Sequence, residues 1–417
     1  MSELDVHLRS TTALEALRTR NLVPIRACRL EAPWCDIIPC LYDLSCLEEL
    51  EWAPAFGMDV DIRRKYDSMP ALPALRRVLS YDVHSPHILV LLKLTERLTR
   101  LRFEVKGNWQ HLYDFFPLLE DLCHLRDLEL ELGYIQNSFS FRTLWRVKTG
   151  VQSLQIANPY MGAMARSIAS RNEEAIFSAF SMCFTEVIRL GIFCTFLGPK
   201  VAAYIHSATR LLSLTLFHDL DFLPEFHAEP IKSSTLEALI LSLGPNTAPV
   251  ISIDCPSISR LALEDIGGRA RWSSQIQHDV KHLQILSPRS YLEIPEFTAL
   301  QNLQVHGMTT LTTGGDDMMG EVFIPFICEP TICPLLSELQ LDLVSEWDLL
   351  FLMLECRKYL PRSRRISRIE TLVLPLSPPL HLLVLLTEIL AGRFTVRPSN
   401  QELSIISFMD AYFDPNM

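Results

Sequence analysis

Residues 258–263 read Ile-Ser-Arg-Leu-Ala-Leu, residues 280–285 read Val-Lys-His-Leu-Gln-Ile, and residues 300–305 read Leu-Gln-Asn-Leu-Gln-Val. Each segment follows the pattern apolar-x-x-apolar-x-apolar, which occurs fourteen times between residues 25 and 374. Ten of the thirteen intervals between successive middle apolar residues are 20 to 28 residues long, the usual period of a leucine-rich repeat. We therefore predict an α/β leucine-rich-repeat solenoid, an irregular horseshoe of about fourteen repeats with a parallel concave sheet and convex helices.

The polar positions within the repeats test this prediction, because the apolar pattern does not specify them. The first, second and fourth residues after the first apolar residue of each repeat should face solvent, since side chains alternate across a strand. Of these 42 positions, 33 are polar. The composition is 48% hydrophobic, so chance would make only about half of them polar. The repeat prediction therefore has support beyond its apolar residues.

The repeats extend over residues 25–398, with a cap segment at residues 1–24 and a cap or tail at residues 399–417. Apolar residues at helical spacing predict helices between some of the strands. The four that we expect are Trp109–Leu119, Met161–Phe184, Trp347–Tyr359 and Leu380–Ala391.

Composition limits the classes of partner. The 417 residues carry a formal net charge of −11, so we expect no nucleic-acid partner, which would need a basic surface. The longest apolar stretch, near Leu380 to Leu390, is too short to cross a bilayer, so we also expect no membrane insertion. The first residues lack a secretion signal, and the eleven cysteines are expected to be reduced thiols. We expect a cytoplasmic or nuclear location.

Motifs that carry chemistry are missing from the sequence. No nucleophile elbow, zinc-protease motif, phosphate-binding loop or dinucleotide fingerprint occurs. The first four cysteines are 7, 5 and 6 residues apart, whereas structural zinc sites usually pair ligands two to four residues apart. We therefore expect no catalytic residues, no metal site, no cofactor and no enzymatic activity.

Two groups of residues are candidates for partner binding. The first group lies on the predicted concave strands and comprises Arg100, Arg102, Asp127, Glu129, Arg260, His282, Gln284, Asn302, Gln304 and Glu338. The second group is a basic patch of six residues within twelve positions, namely Arg357, Lys358, Arg362, Arg364, Arg365 and Arg368. Either group could meet a partner, but a solvated sheet face and a solvated loop after a helix explain the same residues.

The run Cys333-Pro334-Leu335-Leu336-Ser337-Glu338-Leu339-Gln340-Leu341 resembles the CP-x-L-x-x-L-x-L repeats of fungal F-box-associated leucine-rich-repeat proteins, and residues 255–258 are a second instance. This resemblance implies a protein that recruits substrates to a cullin ubiquitin ligase, with ligase components as possible partners. Residues 1–24 are shorter than an F-box, so we expect the similarity to concern the repeats without a recognisable F-box.

The function that we predict is a non-enzymatic protein-interaction scaffold, and the resemblance implies that it is the substrate-recognition part of such a ligase receptor. The alternative is a leucine-rich-repeat regulator of an enzyme, such as a GTPase activator that supplies an arginine to the transferring phosphate.

Overall fold

The structure of the chain is a computed structural model. It describes residues 5–8, 25–31, 44, 46–53, 72–83, 97–107, 117, 119–135, 150–157, 178–181, 183–194, 199–218, 230–243, 251–264, 270–286, 294–306, 322–342, 344, 346–360, 366–374, 380–390 and 394–396.

Strands are the main element of the described residues. In chain order they are β1 Asp5–Leu8, β2 Ala27–Glu31, β3 Glu49–Ala53, β4 Arg77–Val83, β5 Arg100–Gly107, β6 Asp127–Ile135, β7 Ser153–Ala157, β8 Arg189–Cys194, β9 Ser213–His218, β10 Ile231–Lys232, β11 Ala238–Leu243, β12 Ile251–Asp254, β13 Arg260–Glu264, β14 Ala270–Trp272, β15 His282–Ile285, β16 Asn302–Val305, β17 Glu338–Leu341, β18 Thr371–Leu374 and β19 Phe394–Val396.

Helices connect some of these strands. In chain order they are α1 Pro199–Ser207, α2 Ser274–Asp279, α3 Ile324–Cys328, α4 Trp347–Lys358 and α5 Leu380–Ile389. The helices α4 and α5 confirm two of the predicted helices, whereas most residues of the other two, Trp109–Leu119 and Met161–Phe184, lie outside the described residues. Among the described residues, no helix is both long and apolar enough to cross a membrane.

The chain divides into two compact units. Unit 1 comprises Met1–Leu236 and Asn246–Cys255, and unit 2 comprises Glu237–Pro245 and Pro256–Met417. In unit 1, strands β1 to β9 form a parallel sheet in which each strand pairs with the next one along the chain. The short strands β10 and β12 of this unit form a separate parallel pair, which the sequence pattern did not predict.

Unit 2 repeats the same arrangement. Its strands β11, β13, β15, β16, β17, β18 and β19 pair in parallel and in that order. Helices occur in the connections that follow β16, β17 and β18, which makes this unit an α/β structure. Sequential parallel strands with helical connections are the architecture of a leucine-rich-repeat solenoid, so the predicted fold class is confirmed.

The apolar pattern produces the core directly. The middle apolar residue of every predicted repeat is buried, and each of the fourteen lies in its own strand. The registers join these residues to one another, for example Leu261 to Leu283, Leu283 to Leu303 and Leu303 to Leu339. The buried column therefore runs from strand to strand, and the alternating residues are left on the opposite side of the sheet, which we call the open face.

Candidate partner-binding face

The open face consists of three rows of side chains. Row one is the residue before the buried middle residue of each strand, row two is the residue after it, and row three is the third residue after it. In unit 2, row one contains Ala238, Arg260, His282, Asn302, Glu338 and Thr371, and row two contains Ile240, Ala262, Gln284, Gln304, Gln340 and Val373. Row three contains Ser242, Glu264, Leu286, His306 and Asp342.

Row two is less accessible than the sequence predicts. In unit 2 only Gln304 is partly exposed, and the other five residues of the row are buried. Neighbouring parallel strands are about 4.8 Å apart, so row-two side chains are covered by rows one and three and by each other. The expectation that this position faces solvent is therefore wrong for most of unit 2, including Gln284.

Three glutamines form a ladder in row two. Gln284 is in register with Gln304, which in turn is in register with Gln340, so the three side chains lie on adjacent strands. The Gln284 side chain is 1% exposed and that of Gln340 is 7% exposed. Gln284 Oε1 and Gln340 Nε2 are buried and have no hydrogen-bond partner among the described residues. A buried amide without a partner costs about 1 to 3 kcal/mol, so these two atoms require an explanation.

A histidine connects the ladder to row three. His306 Nε2 forms a hydrogen bond with Gln284 Nε2, and His306 Nδ1 contacts the carboxylate of Asp342. A neutral imidazole protonated on Nδ1 satisfies both contacts, because Nδ1–H then donates to the carboxylate and Nε2 accepts from the amide. The amide nitrogen of Gln284 faces the ring, and its oxygen is the atom that lacks a partner among the described residues.

Row one of this region is more accessible. Arg260 and His282 are exposed, and Asn302 and Glu338 are partly exposed. Partial burial lowers the pKa of His282, and the positive charges of Arg260 and Lys281 act in the same direction, while Glu338 opposes them. His282 is therefore predominantly neutral at pH 7, when its ring can both donate and accept a hydrogen bond. We call the six residues His282, Gln284, Asn302, Gln304, Glu338 and Gln340 the amide patch.

Two of the predicted concave-face residues of unit 1, Arg102 and Glu129, lie in an ion cluster. Arg102 Nε is 3.1 Å from Glu129 Oε1, and Arg102 Nη2 is 3.6 Å from Glu131 Oε2. Gln155 Nε2 donates to Glu129 Oε1 over 3.3 Å, and the side chains of Arg102 and Glu129 are both 14% exposed. Arg102 is therefore paired within the unit, which makes it a poor position for testing partner binding by charge reversal.

The other two predicted residues of unit 1 lie in row one. Arg100 and Asp127 are in register on adjacent strands, and both are partly exposed. The structure brings all four predicted residues of this unit onto neighbouring strands β5 and β6. They form a region of mixed charge, whereas the amide patch of unit 2 consists mainly of neutral polar side chains.

The predicted basic patch requires a correction. Arg357 is only 2% exposed, and its guanidinium donates to the carbonyl oxygens of residues 330, 332, 333 and 367. It also lies 6.0 Å from the centre of the Phe326 ring. Arg357 is therefore a core residue of unit 2, and its guanidinium supplies donors to the turn carbonyls around it.

The remaining members of the basic patch have different positions. Lys358 is partly exposed at the end of α4, and Arg368 is exposed. Arg362, Arg364 and Arg365 lie outside the described residues.

Sequence reasoning missed two side chains of this region, namely Gln340 and Asp342. Gln340 occupies the same position of its repeat as Gln284 and Gln304, so aligning the repeats on their middle residues would have found it. Asp342 lies one residue beyond its strand, where the apolar pattern no longer specifies which face a side chain joins.

Within the described ranges, no group of three or more histidine, cysteine or acidic residues is placed to hold a metal ion. Comparison with protein-family models and with curated proteins found no match to this chain.

Proposed function

We propose that this chain is a non-enzymatic protein-interaction scaffold that binds its partner through the amide patch of unit 2. The observation that supports this proposal is a pair of buried amide atoms, Gln284 Oε1 and Gln340 Nε2, that have no hydrogen-bond partner within the described part of the chain. Polar groups left in this state reduce stability, and pairing them with groups of a partner would recover that free energy on binding.

The fold itself does not need glutamine at these positions. The same row of unit 2 holds Ile240, Ala262 and Val373 in other strands, and these apolar side chains are buried without difficulty. Glutamine therefore occupies this row only in three adjacent strands of unit 2, and the fold does not require it there. A partner that offers both donors and acceptors would pair the free amide atoms once the side chains rotate toward it.

The chemistry of the amide patch favours a polypeptide partner. Amide, imidazole and carboxylate groups can bind the N–H and C=O groups of a backbone as well as polar side chains. The patch includes one carboxylate, that of Glu338. The neighbouring cation in row one is Arg260, which is in register with His282 at the edge of the patch. A phosphate-rich nucleic acid would require several cations at this place.

The test is affinity purification of cell proteins with the wild-type chain and with a Gln284→Met, Gln304→Met, Gln340→Met variant as baits. Methionine keeps the length of the side chain and removes the amide. We expect at least one protein to be recovered by the wild type and lost, by tenfold or more, with the variant. A Thr371→Ala variant, which changes an exposed row-one residue outside the patch, serves as the matched control. Recovery of the same proteins by both baits would refute the proposal.

The repeats that resemble those of F-box-associated proteins extend this proposal to a ubiquitin ligase. In this form, the protein held by the amide patch is a substrate and the chain is the recognition part of a receptor. Co-purification of a cullin-ligase adaptor with the wild-type chain would support the extension. A partner recovered through the amide patch without the adaptor would leave the scaffold function and reject the ligase link.

A further inference from the structure

Five arginines lie where the strands β4, β5 and β6 of unit 1 begin. They are Arg76, Arg77, Arg97, Arg100 and Arg126. Arg100 is partly exposed and the other four are exposed. The chain as a whole carries a net charge of −11, so this concentration of cations runs against its composition. A cluster of one charge raises the local concentration of ligands of the opposite charge.

Backbone hydrogen bonds fix the order of these residues along the edge of the sheet. The amide of Thr99 donates to the carbonyl oxygen of Arg76 over 2.8 Å, and the amide of Arg126 donates to that of Thr99 over 2.8 Å. Thr99 therefore lies between Arg76 and Arg126, and Arg97 precedes Thr99 by two residues in the same repeat. Adjacent strands are about 4.8 Å apart, so the backbones of Arg76 and Arg126 are separated by roughly 10 Å.

Acidic side chains balance part of this charge. Arg77 Nη1 is 2.8 Å from Glu49 Oε1, and Arg26 Nε is 3.8 Å from Glu48 Oε1. Glu48 and Glu49 lie at the start of β3, the strand that pairs with β4. Both acidic residues on this side of the cluster are therefore engaged with Arg77 and Arg26.

Three arginines of the cluster have no acidic partner. Within the described part of the chain, Arg76, Arg97 and Arg126 form no ion pair. The exposed residues Glu120 and Asp121, which precede β6, pair with none of them. We call Arg76, Arg97 and Arg126 the arginine edge.

The guanidinium of Arg126 is held in place with one side open. Its Nη1 donates to the carbonyl oxygens of Leu125 at 3.4 Å and of Gly150 at 3.2 Å. A Cβ atom at residue 150 would lie 2.9 Å from that nitrogen, so glycine leaves the room that the guanidinium occupies. Arg126 Nε and Nη2 have no hydrogen-bond partner among the residues that the structure describes. These two nitrogens can bind a carboxylate through two parallel hydrogen bonds.

We propose that the arginine edge binds an acidic segment of a partner protein. Arg126 binds one carboxylate of the segment through two hydrogen bonds, and Arg76 and Arg97 pair with further carboxylates. The separation of roughly 10 Å between strands β4 and β6 corresponds to about three residues of extended polypeptide. A segment with an acidic residue at every third position matches this spacing. The proposal is independent of the amide patch, which belongs to unit 2.

A nucleic acid fits the arginine edge less well than an acidic polypeptide does. Nucleic-acid binding proteins commonly neutralise about six to ten phosphates. The arginine edge offers three cations without acidic partners, and Glu48 and Glu49 lie beside it. A continuous row of phosphates would meet these two carboxylates, whereas carboxylates separated by neutral residues avoid this repulsion.

Fluorescence anisotropy of a labelled peptide with the full chain tests this proposal. The peptide is about fifteen residues long and has glutamate at every third position between glycine and serine. The salt concentration is about 50 mM, at which exposed ion pairs are only weakly screened. We expect about tenfold weaker binding by a variant in which the arginine edge is neutral, namely Arg76→Gln, Arg97→Gln, Arg126→Gln.

The matched control removes the same total charge at exposed positions elsewhere. It carries Lys232→Gln, Arg271→Gln and Arg368→Gln. Its affinity for the peptide should stay within about twofold of the wild type, because distant charges are largely screened. Circular dichroism establishes that both triple variants fold.

A Gly150→Ala variant tests the geometry of Arg126 without changing any charge. The added methyl group occupies the place of Arg126 Nη1 and displaces the guanidinium from its two carbonyl partners. We expect about threefold weaker peptide binding, since the two nitrogens are then no longer held for the carboxylate. The same substitution should have no effect in an Arg126→Gln background, because the two changes act on one contact.

Four results would overturn the proposal. The first is no binding of the glutamate peptide by the wild type up to about 1 mM. The second is an equal loss of affinity in the charge-matched control. The third is equal affinity for the same peptide with glutamine in place of glutamate. The fourth is a single-stranded oligonucleotide that binds more tightly than the peptide and is lost in the arginine-edge variant, which would assign this edge to nucleic acid.

Discussion

Replacing Arg357 by methionine should weaken unit 2 at one defined place. The guanidinium donates to four carbonyl oxygens, those of Pro330 at 3.4 Å, Ile332 at 2.9 Å, Cys333 at 3.0 Å and Ser367 at 3.2 Å. Methionine fills similar volume and donates nothing. The four acceptors would lose about 1 kcal/mol each, and relief of the buried charge would return about 1 kcal/mol, for a net loss of about 3 kcal/mol.

The loss should be local, because the guanidinium connects the segment 330–333 to the segment that precedes β18. The amide of Ser367 donates to the carbonyl oxygen of Pro334 over 2.6 Å, and the amides of Glu370 and Thr371 donate to the carbonyl oxygen of Ser337. Native-state hydrogen exchange measures the free energy of opening at each of these amides. A loss of about 3 kcal/mol corresponds to exchange about 150-fold faster.

An Arg368→Met variant is the matched control, since Arg368 is exposed and eleven residues away. Its exchange rates at the same amides should stay within about 0.5 kcal/mol of the wild type. Equal exchange rates in the Arg357→Met and Arg368→Met variants would refute the prediction that Arg357 stabilises the contact between these two segments. Faster exchange spread evenly over unit 2 would refute its local character.

Gln340→Met should leave the free energy of unfolding unchanged or raise it by about 1 kcal/mol, because it removes a buried amide nitrogen that has no partner among the described residues. A decrease of more than about 2 kcal/mol in the free energy of unfolding, measured by urea denaturation, would contradict this prediction. His282 should titrate below its ordinary pKa of 6.5 in NMR, and Arg260→Ala should raise the midpoint, since one of the causes that lower it is removed; an unchanged midpoint would count against that cause. Burial raises the pKa of Cys255 to about 11 and of Cys333 to about 12. Both thiols should therefore remain unmodified by iodoacetamide at pH 8 at the time when mass spectrometry finds the exposed cysteines fully alkylated. Alkylation of Cys255 and Cys333 as fast as that of the exposed cysteines would contradict this prediction.

Periodicity was sufficient to predict the repeats because the buried apolar residues recur at the same spacing in each of them. Leu261, Leu283 and Leu303 are buried and in register, as their spacing predicts. The helices α4 and α5 could be predicted for the same reason, since each presents an apolar side to the core.

Contacts between distant parts of the chain could not be read from the same pattern. The burial of Arg357 depends on carbonyl groups that are 10 to 27 residues away in sequence. The burial of Gln284 and Gln340 depends on how closely neighbouring strands cover one another. A charged or polar residue is ordinarily exposed, so its sequence position alone predicts the wrong environment at these three places.

The pairing of each strand with the next one has a consequence for synthesis on the ribosome. In unit 1, strands β1 to β9 pair in chain order, so every new strand finds its neighbour already translated. At about 5 to 20 residues per second, a repeat of this length leaves the ribosome every few seconds, whereas strand association takes microseconds to milliseconds. The nascent chain can thus dock each repeat onto the last before the next has emerged, which limits the time that its apolar residues remain available to chaperones.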